Sequence, residues 1–288
     1  MDQAASLRKL AQTEVIREIP PTEFLPVLTN PPFVWIDGTF NSRDLGDVPG
    51  SPLRANYVYR TGGLARLSEQ GKEAITALGV KRIFDLRSPE ERKQAPDPDI
   101  EGVENTWIQS LRPDTAPDLN KFIAGRGKEA YEEMYLEVID VYQPSWRLVL
   151  EHVRDRPEEA FLVHCTGKFG EPTEIFVSPG RDRTGVISGL LLTLAGASPD
   201  VVSLDYLLSR IGTEPTREAL LQVVLASTKA ESIEQPGFQN LCELREESWN
   251  AFVKGVERDF GGFDKFVTGK LGFSEDDLVK IKANLTRV

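Results

Sequence analysis

From Phe33 onward, short apolar runs alternate with amphipathic stretches of helical period, a pattern that predicts a mixed α and β chain. Val34-Trp35-Ile36 and Tyr57-Val58-Tyr59 are brief β-prone runs bounded by Gly, Pro and Asn. Ser68 is placed to cap a helix with Ala74, Ile75 and Leu78 on one face and Gly79 at its end. Val80 to Leu86 then reads as a strand. Asp97-Pro98-Asp99 marks a turn, Trp107-Ile108 a further short strand, and Pro113 to Arg126 an irregular polar stretch.

Tyr131, Met134, Tyr135, Val138 and Tyr142 recur at helical spacing. Such an aromatic stripe packs in a core or, alternatively, forms a lid over an active site. Ser145 to Arg156 is a second helix, and Ala160 to Val163 a short buried strand that ends at His164-Cys165. Thr184 to Gly196 is helical, and Ser198-Pro199 supplies a cap and a first-turn proline for the next helix. Further helices are expected at 215–228, 240–258 and 274–285, the last opened by Ser274-Glu275-Asp276-Asp277 in capping-box style. Residues 1–32, interrupted by Pro20-Pro21 and Pro31-Pro32, read as an N-terminal lead-in without regular structure, and 33–288 as the folded domain. Strands before residue 165 and helices after it imply an α/β fold: a small central sheet flanked by helices, with a helix-rich C-terminal half.

Composition narrows the function classes. The 288 residues are 40% hydrophobic, enough for a real core, which excludes disordered and collagen-like chains. A formal charge of -11 argues against nucleic acid as a partner. The longest largely apolar stretch, Val186 to Ala197, is too short to span a bilayer, and the N-terminus shows no apolar signal region. Two cysteines cannot build a disulfide framework, so a reducing, cytoplasmic compartment is expected.

Chemistry concentrates between Phe161 and Leu190. A buried strand delivers His164-Cys165, and Arg183-Thr184-Gly185 opens a helix. A cysteine that handles phosphate needs this layout: a strand to fix the sulfur, a tight loop of inward amides, a helix N-terminus and an arginine for the oxygens. The same field lowers the thiol pKa, and the thiolate attacks phosphorus to give a phosphocysteine that water hydrolyses. Two histidines in the whole chain suggest no metal, and no cofactor is implied. Taken alone, Cys165 could equally be a buried structural thiol.

These residues resemble the HC-x5-R-T/S-G signature of the cysteine-dependent protein-tyrosine phosphatase superfamily, most closely the HCTAGKDRTG form of its fungal and bacterial tyrosine/serine branch. Asn41-Ser42-Arg43-Asp44-Leu45-Gly46 is similar to that branch's N-x-R-D-L/I-G motif. Tyr59-Arg60-Thr61-Gly62 and Phe84-Asp85-Leu86-Arg87-Ser88 with Glu90 resemble its YRSG and DLRS-x-E motifs, and Asp205-Tyr206-Leu207-Leu208-Ser209 fits a later family helix. The resemblance implies a protein phosphatase acting on a phosphorylated protein or a phosphoinositide. It makes Cys165 the nucleophile, Arg183 the phosphate clamp and Asp182 the first choice of general acid, ahead of Asp44 and Asp85. Thr166, Gly167, Arg181, Thr184 and Gly185 would contact substrate. His164 would shape the loop, while Arg43, Asp44 and Arg60 either brace it from below or take part in chemistry.

One feature departs from the pattern: seventeen residues, not five, separate Cys165 from Arg183. Removing Lys168 to Pro179 restores the family spacing, and those residues bring Glu171 and Glu174 to a site meant for a dianion. A retained intron, an insertion that bulges outward and a degenerate loop each account for them. The alternative to an enzyme is therefore a non-catalytic phosphate-binding or scaffold relative.

Overall fold

The computed structural model describes residues 3–113, 115–165 and 180–286. Its centre is a sheet of β1 (Arg43–Asp44), β2 (Val58–Thr61), β3 (Val80–Asp85), β4 (Glu104–Trp107) and β5 (Ala160–His164), in the order β1-β2-β5-β3-β4. β2, β5, β3 and β4 run parallel, and β1 closes the edge antiparallel to β2. Every residue of β5 is buried, as a strand covered on both faces requires. In register, Thr61 of β2 and Asp85 of β3 flank His164, so three strand ends converge on one point. The crevice beyond the carboxyl ends of parallel strands is where such sheets bind ligands.

Helices cover both faces: α1 (Gln3–Ala11), α2 (Pro21–Leu28), α3 (Glu69–Ala77), α4 (Pro89–Gln94), α5 (Lys128–Val141), α6 (Gln143–Asp155) and α7 (Asp182–Leu194). They continue as α8 (Pro199–Gly212), α9 (Arg217–Thr228), α10 (Phe238–Cys242), α11 (Glu246–Phe260), the single turn α12 (Phe263–Lys265) and α13 (Glu275–Thr286). Their starts obey local chemistry. Ser68 accepts from Gly71 N–H, Ser198 from Val201 N–H and Ser274 from Asp277 N–H, while Ser88 and Glu91 form a reciprocal capping box. After its polar first turn α7 is mostly apolar, and nearly every side chain in it is buried, which makes it the central helix. Tyr135, Tyr206, Trp249 and Phe252 pack edge-on or tilted where α5, α8 and α11 meet. The aromatic stripe of α5 is thus core. No helix among the described residues is long and apolar enough to cross a membrane.

Three expectations are corrected. Residues 1–32 are not irregular: α1 and α2 form there, and Leu7, Ala11, Ile19 and Phe24 are buried. Pro21 sits in the first turn of α2, where a missing N–H breaks no bond. Val34 to Ile36 is not a strand; only Phe33 bridges to Arg43, and Trp35 is exposed. The helix expected at 240–258 is two, because Glu243 and Arg245 take extended backbone between α10 and α11.

Candidate active site

Cys165 follows directly on β5 and is only 3% exposed. It faces the first turn of α7. Burial outweighs the charge of Arg183 and the hydroxyl and amide of Thr184 and raises its thiol, so the described residues do not give the lowered thiol expected from the sequence. Asp182 adds a smaller upward push. The Arg183 guanidinium is itself buried and held in place. Nη1 and Nη2 donate to the two oxygens of Glu91, each at 2.8 Å, and Nη1 also donates to Leu86 O at 3.0 Å and the Tyr142 hydroxyl at 3.1 Å. Glu91 is fixed in turn by its capping box with Ser88. The resemblance pointed to Glu90, but the capping geometry turns its neighbour inward.

Beneath this turn lies a buried triad. Asp205 of α8 pairs with Arg43 of β1 at 2.7 Å and with Arg60 of β2 at 2.5 Å. Despite burial, the two arginines hold the Asp205 carboxyl below its usual range. Burial and the facing Arg60 lower Arg43 to about 10. Two cations against one anion leave positive charge below the site, which suits an anionic ligand above it. Arg60 Nη2 also donates to Gly180 O at 2.7 Å. Gly180 has φ +55°, and a Cβ there would stand 2.0 Å from Thr61 O, so glycine is required.

Asp182 opens α7 with Oδ1 accepting from the Tyr135 hydroxyl at 2.8 Å and from Arg181 Nε at 3.1 Å. Its side chain is one-third exposed, unlike those of its neighbours. Arg181 donates to Cys242 O at 3.1 Å, and to Leu241 O and the Tyr131 hydroxyl at 3.3 Å. Beyond Asp182, its described side-chain partners are thus the end of α10 and the face of α5. The N–H of Gly185 donates to Arg181 O within the helix at 2.9 Å. Thr166 and Gly167, like Lys168 to Pro179, lie outside the described residues.

The remaining carboxylates are engaged elsewhere. Asp44 accepts from Gly46 N–H at 2.8 Å and Asn56 N–H at 2.5 Å, bracing the turn after β1, and burial raises it to about 6. Asp85 takes Arg87 on both oxygens and Arg92 on Oδ2, all at 2.8 Å. Asp85, Asp97 and His164 are close enough to share a metal ion. A cation would have to displace two guanidiniums, because Arg87 also holds Asp97 at 2.7 Å. This donor set does not fit a metal.

Sequence reasoning did not single out Glu91, the hydroxyls of Tyr135 and Tyr142, or Asp97. The signal for the tyrosines was available: a core stripe made with Tyr in place of Phe carries hydroxyls that need partners.

Comparison with known proteins agrees with this geometry. A tyrosine phosphatase family profile matches residues 34–287. A tyrosine-protein phosphatase of Nostoc commune is 27% identical over 235 residues, covering 81% of this chain and 75% of its own. The triple specificity protein phosphatase PtpB of Mycobacterium tuberculosis is 24% identical over 205 residues, 66% of this chain and 73% of its own. Sheet, buried cysteine, helix-borne arginine and a profile match over nearly the whole chain make this protein a member of the tyrosine phosphatase family of enzymes.

Proposed function

We propose that the chain hydrolyses phosphate monoesters through a phosphocysteine on Cys165. The observation that supports this most is the approach of Arg183 and Thr184, in the first turn of a buried helix, to the sulfur at the end of β5. Helix N-terminus, guanidinium and hydroxyl there all favour negative charge. The thiolate sulfur bonds to phosphorus as the ester P–O bond breaks, and the leaving oxygen takes the proton of Asp182. Water then attacks phosphorus, Asp182 takes a proton from it, and the S–P bond breaks to return the thiolate and release phosphate. Tyr135 and Arg181 fix one Asp182 oxygen and leave the carboxyl end at the solvent side. Glu91 sets the plane of the Arg183 clamp. Phosphotyrosine is the substrate favoured, with phosphoserine, phosphothreonine or a phosphoinositide as further members of the class. Two buried cysteines, neither in a disulfide among the described residues, suit a cytoplasmic setting, and 33–288 is read as the catalytic domain with 1–32 as an attached lead-in.

The seventeen residues between Cys165 and Arg183 favour a second reading, a phosphate-binding scaffold without turnover. Aryl phosphate hydrolysis in the presence of a chelator separates the two. Turnover that Cys165→Ser abolishes supports the enzyme. A folded chain that binds phosphate without hydrolysing an ester supports the scaffold.

A further inference from the structure

The Asp205-Tyr206-Leu207-Leu208-Ser209 run of α8 gives Asp205 to the buried triad, but its next residue, Tyr206, has no part in the proposed chemistry. The Tyr206 ring is buried, 5.1 Å from that of Trp249, and a Cβ on Gly185 in the first turn of α7 would stand 3.9 Å from its Cδ2. Its backbone is pinned, because Arg43 holds both the carboxylate and the carbonyl of Asp205, at 2.7 and 2.8 Å. The Tyr206 hydroxyl lies 2.9 Å from that of Tyr135, its one hydrogen-bond partner among the described residues. The Tyr135 hydroxyl in turn lies 2.8 Å from Oδ1 of Asp182. Burial raises both phenols above their ordinary range, so both remain hydroxyls and can donate.

We infer that Tyr206 is a positioning residue that commits the Tyr135 hydroxyl as a donor to Oδ1 of Asp182, and so leaves the transferable proton on Oδ2. The inference rests on Asp182 being the general acid. A phenol has one proton to give. Tyr206 gives its own to Tyr135, its one described acceptor, and Tyr135 is then left to donate to Asp182. Arg181 Nε donates to the same Oδ1 at 3.1 Å, and a guanidinium cannot accept. An oxygen that receives two donors has no room for a proton of its own. Oδ2, by contrast, takes no hydrogen bond among the described residues, and the side chain is one-third exposed. Transfer from Oδ2 leaves both bonds at Oδ1 in place, so nothing has to reorganise as the ester bond breaks. Without Tyr206 the Tyr135 hydroxyl is free to turn and to accept a proton from Oδ1, which points the acid away from the leaving oxygen.

Two readouts on the full chain test this. Proton NMR of the buried hydroxyls, correlated to the ring carbons of labelled tyrosine, should show the Tyr206 proton close to that of Tyr135. The Tyr135 proton should lie further downfield, because its bond ends on a charge. Asp182→Asn should move it upfield, and Tyr206→Phe should do so to a smaller extent, because bonds in a chain polarise one another. A Tyr135 proton that ignores either substitution overturns the inference. If Tyr206→Phe does not fold, the comparison of wild type with Asp182→Asn decides in the same way. The second readout is leaving-group dependence. Tyr206→Phe should slow hydrolysis of phenyl phosphate about tenfold, part of the roughly hundred-fold or more that a positioned acid contributes. It should leave dinitrophenyl phosphate unchanged, since that leaving group needs no proton. Equal losses on the two esters would make Tyr206 structural and overturn the inference. Tyr59→Phe, which removes a buried phenol bonded to Asn56 Oδ1 and Leu78 O, is the control and should favour neither ester. A chain without turnover would count against the catalytic reading, and the hydroxyl spectrum would then decide the placement of Asp182 by itself.

Discussion

Arg60 and Gly180 are joined by a 2.7 Å hydrogen bond from guanidinium to carbonyl, which ties β2 to the residue leading into α7. The same guanidinium is anchored on Asp205, so the chain entering the site rests on a fixed charge. Gly180→Ala puts a methyl against Thr61 O in a left-handed conformation. We expect it to lower stability by about 1–3 kcal/mol in urea unfolding, with a larger loss in turnover because the first turn of α7 moves with it. Wild-type stability in this variant would mean that Gly180 is not confined by β2.

Glu91→Gln tests the clamp. The substitution keeps the shape but removes the Glu91 charge facing Arg183, a buried cation whose other described acceptors at Nη1 are Leu86 O and the Tyr142 hydroxyl. Breaking one side of such a pair costs about 3 kcal/mol or more. Denaturant unfolding should show that loss, and kcat/KM for an aryl phosphate should fall with it. Glu90→Gln is the comparison, and it should change neither quantity. An equal effect from the two variants would reassign the partner of Arg183.

Asp44 predicts a pH signature away from the chemistry. Its carboxyl is raised to about 6 in the fold, against an ordinary value near 3.8. The folded state therefore holds a proton that the unfolded chain has lost, and stability falls as pH rises from about 4 to about 6. The full effect is about 3 kcal/mol at most. Asp44→Asn should flatten that slope, although it also disturbs the bonds from Gly46 and Asn56. Parallel pH-stability curves for the two proteins would remove Asp44 as the cause.

How much of this was legible in the sequence depended on whether the signal was local. β5 was readable because a buried parallel strand is a short apolar run, and α3 because Ser68 and Gly79 punctuate it. α2 was missed because its prolines read as breakers, when Pro21 lies in the one turn that tolerates it. Val34 to Ile36 has strand composition, but among the described residues Trp35 has no partner strand to cover it. The places of Cys165 just after β5 and of Arg183 in the first turn of α7 were legible from a motif. The choice of Glu91 over Glu90 was not, since it follows from the phase of a six-residue helix set by Ser88. Asp97 was invisible as a partner of His164 because only the sheet register brings that turn to the end of β5.

The spacing between Cys165 and Arg183 can be tested by deletion. Both ends of the intervening segment lie beside one residue: Thr61 pairs with His164 across β2 and β5, and its carbonyl confines Gly180. Deleting Lys168 to Pro179 leaves Thr166 and Gly167 to join Cys165 to Gly180. Three residue steps reach about 10 Å when extended, ample for two points that flank the same strand end. The deletion therefore removes no described core element and regenerates the family spacing. It also removes Glu171 and Glu174, whose charges oppose a thiolate and a dianionic ester. Each amide donor restored to an anion hole is worth roughly a hundred- to thousand-fold in rate. We expect the deleted form to hydrolyse an aryl phosphate at least about a hundred-fold faster than the full chain, with unchanged far-UV circular dichroism. Equal rates would show that the twelve residues leave the anion site intact. A folded but inactive deletion form would sink the catalytic reading and leave the scaffold.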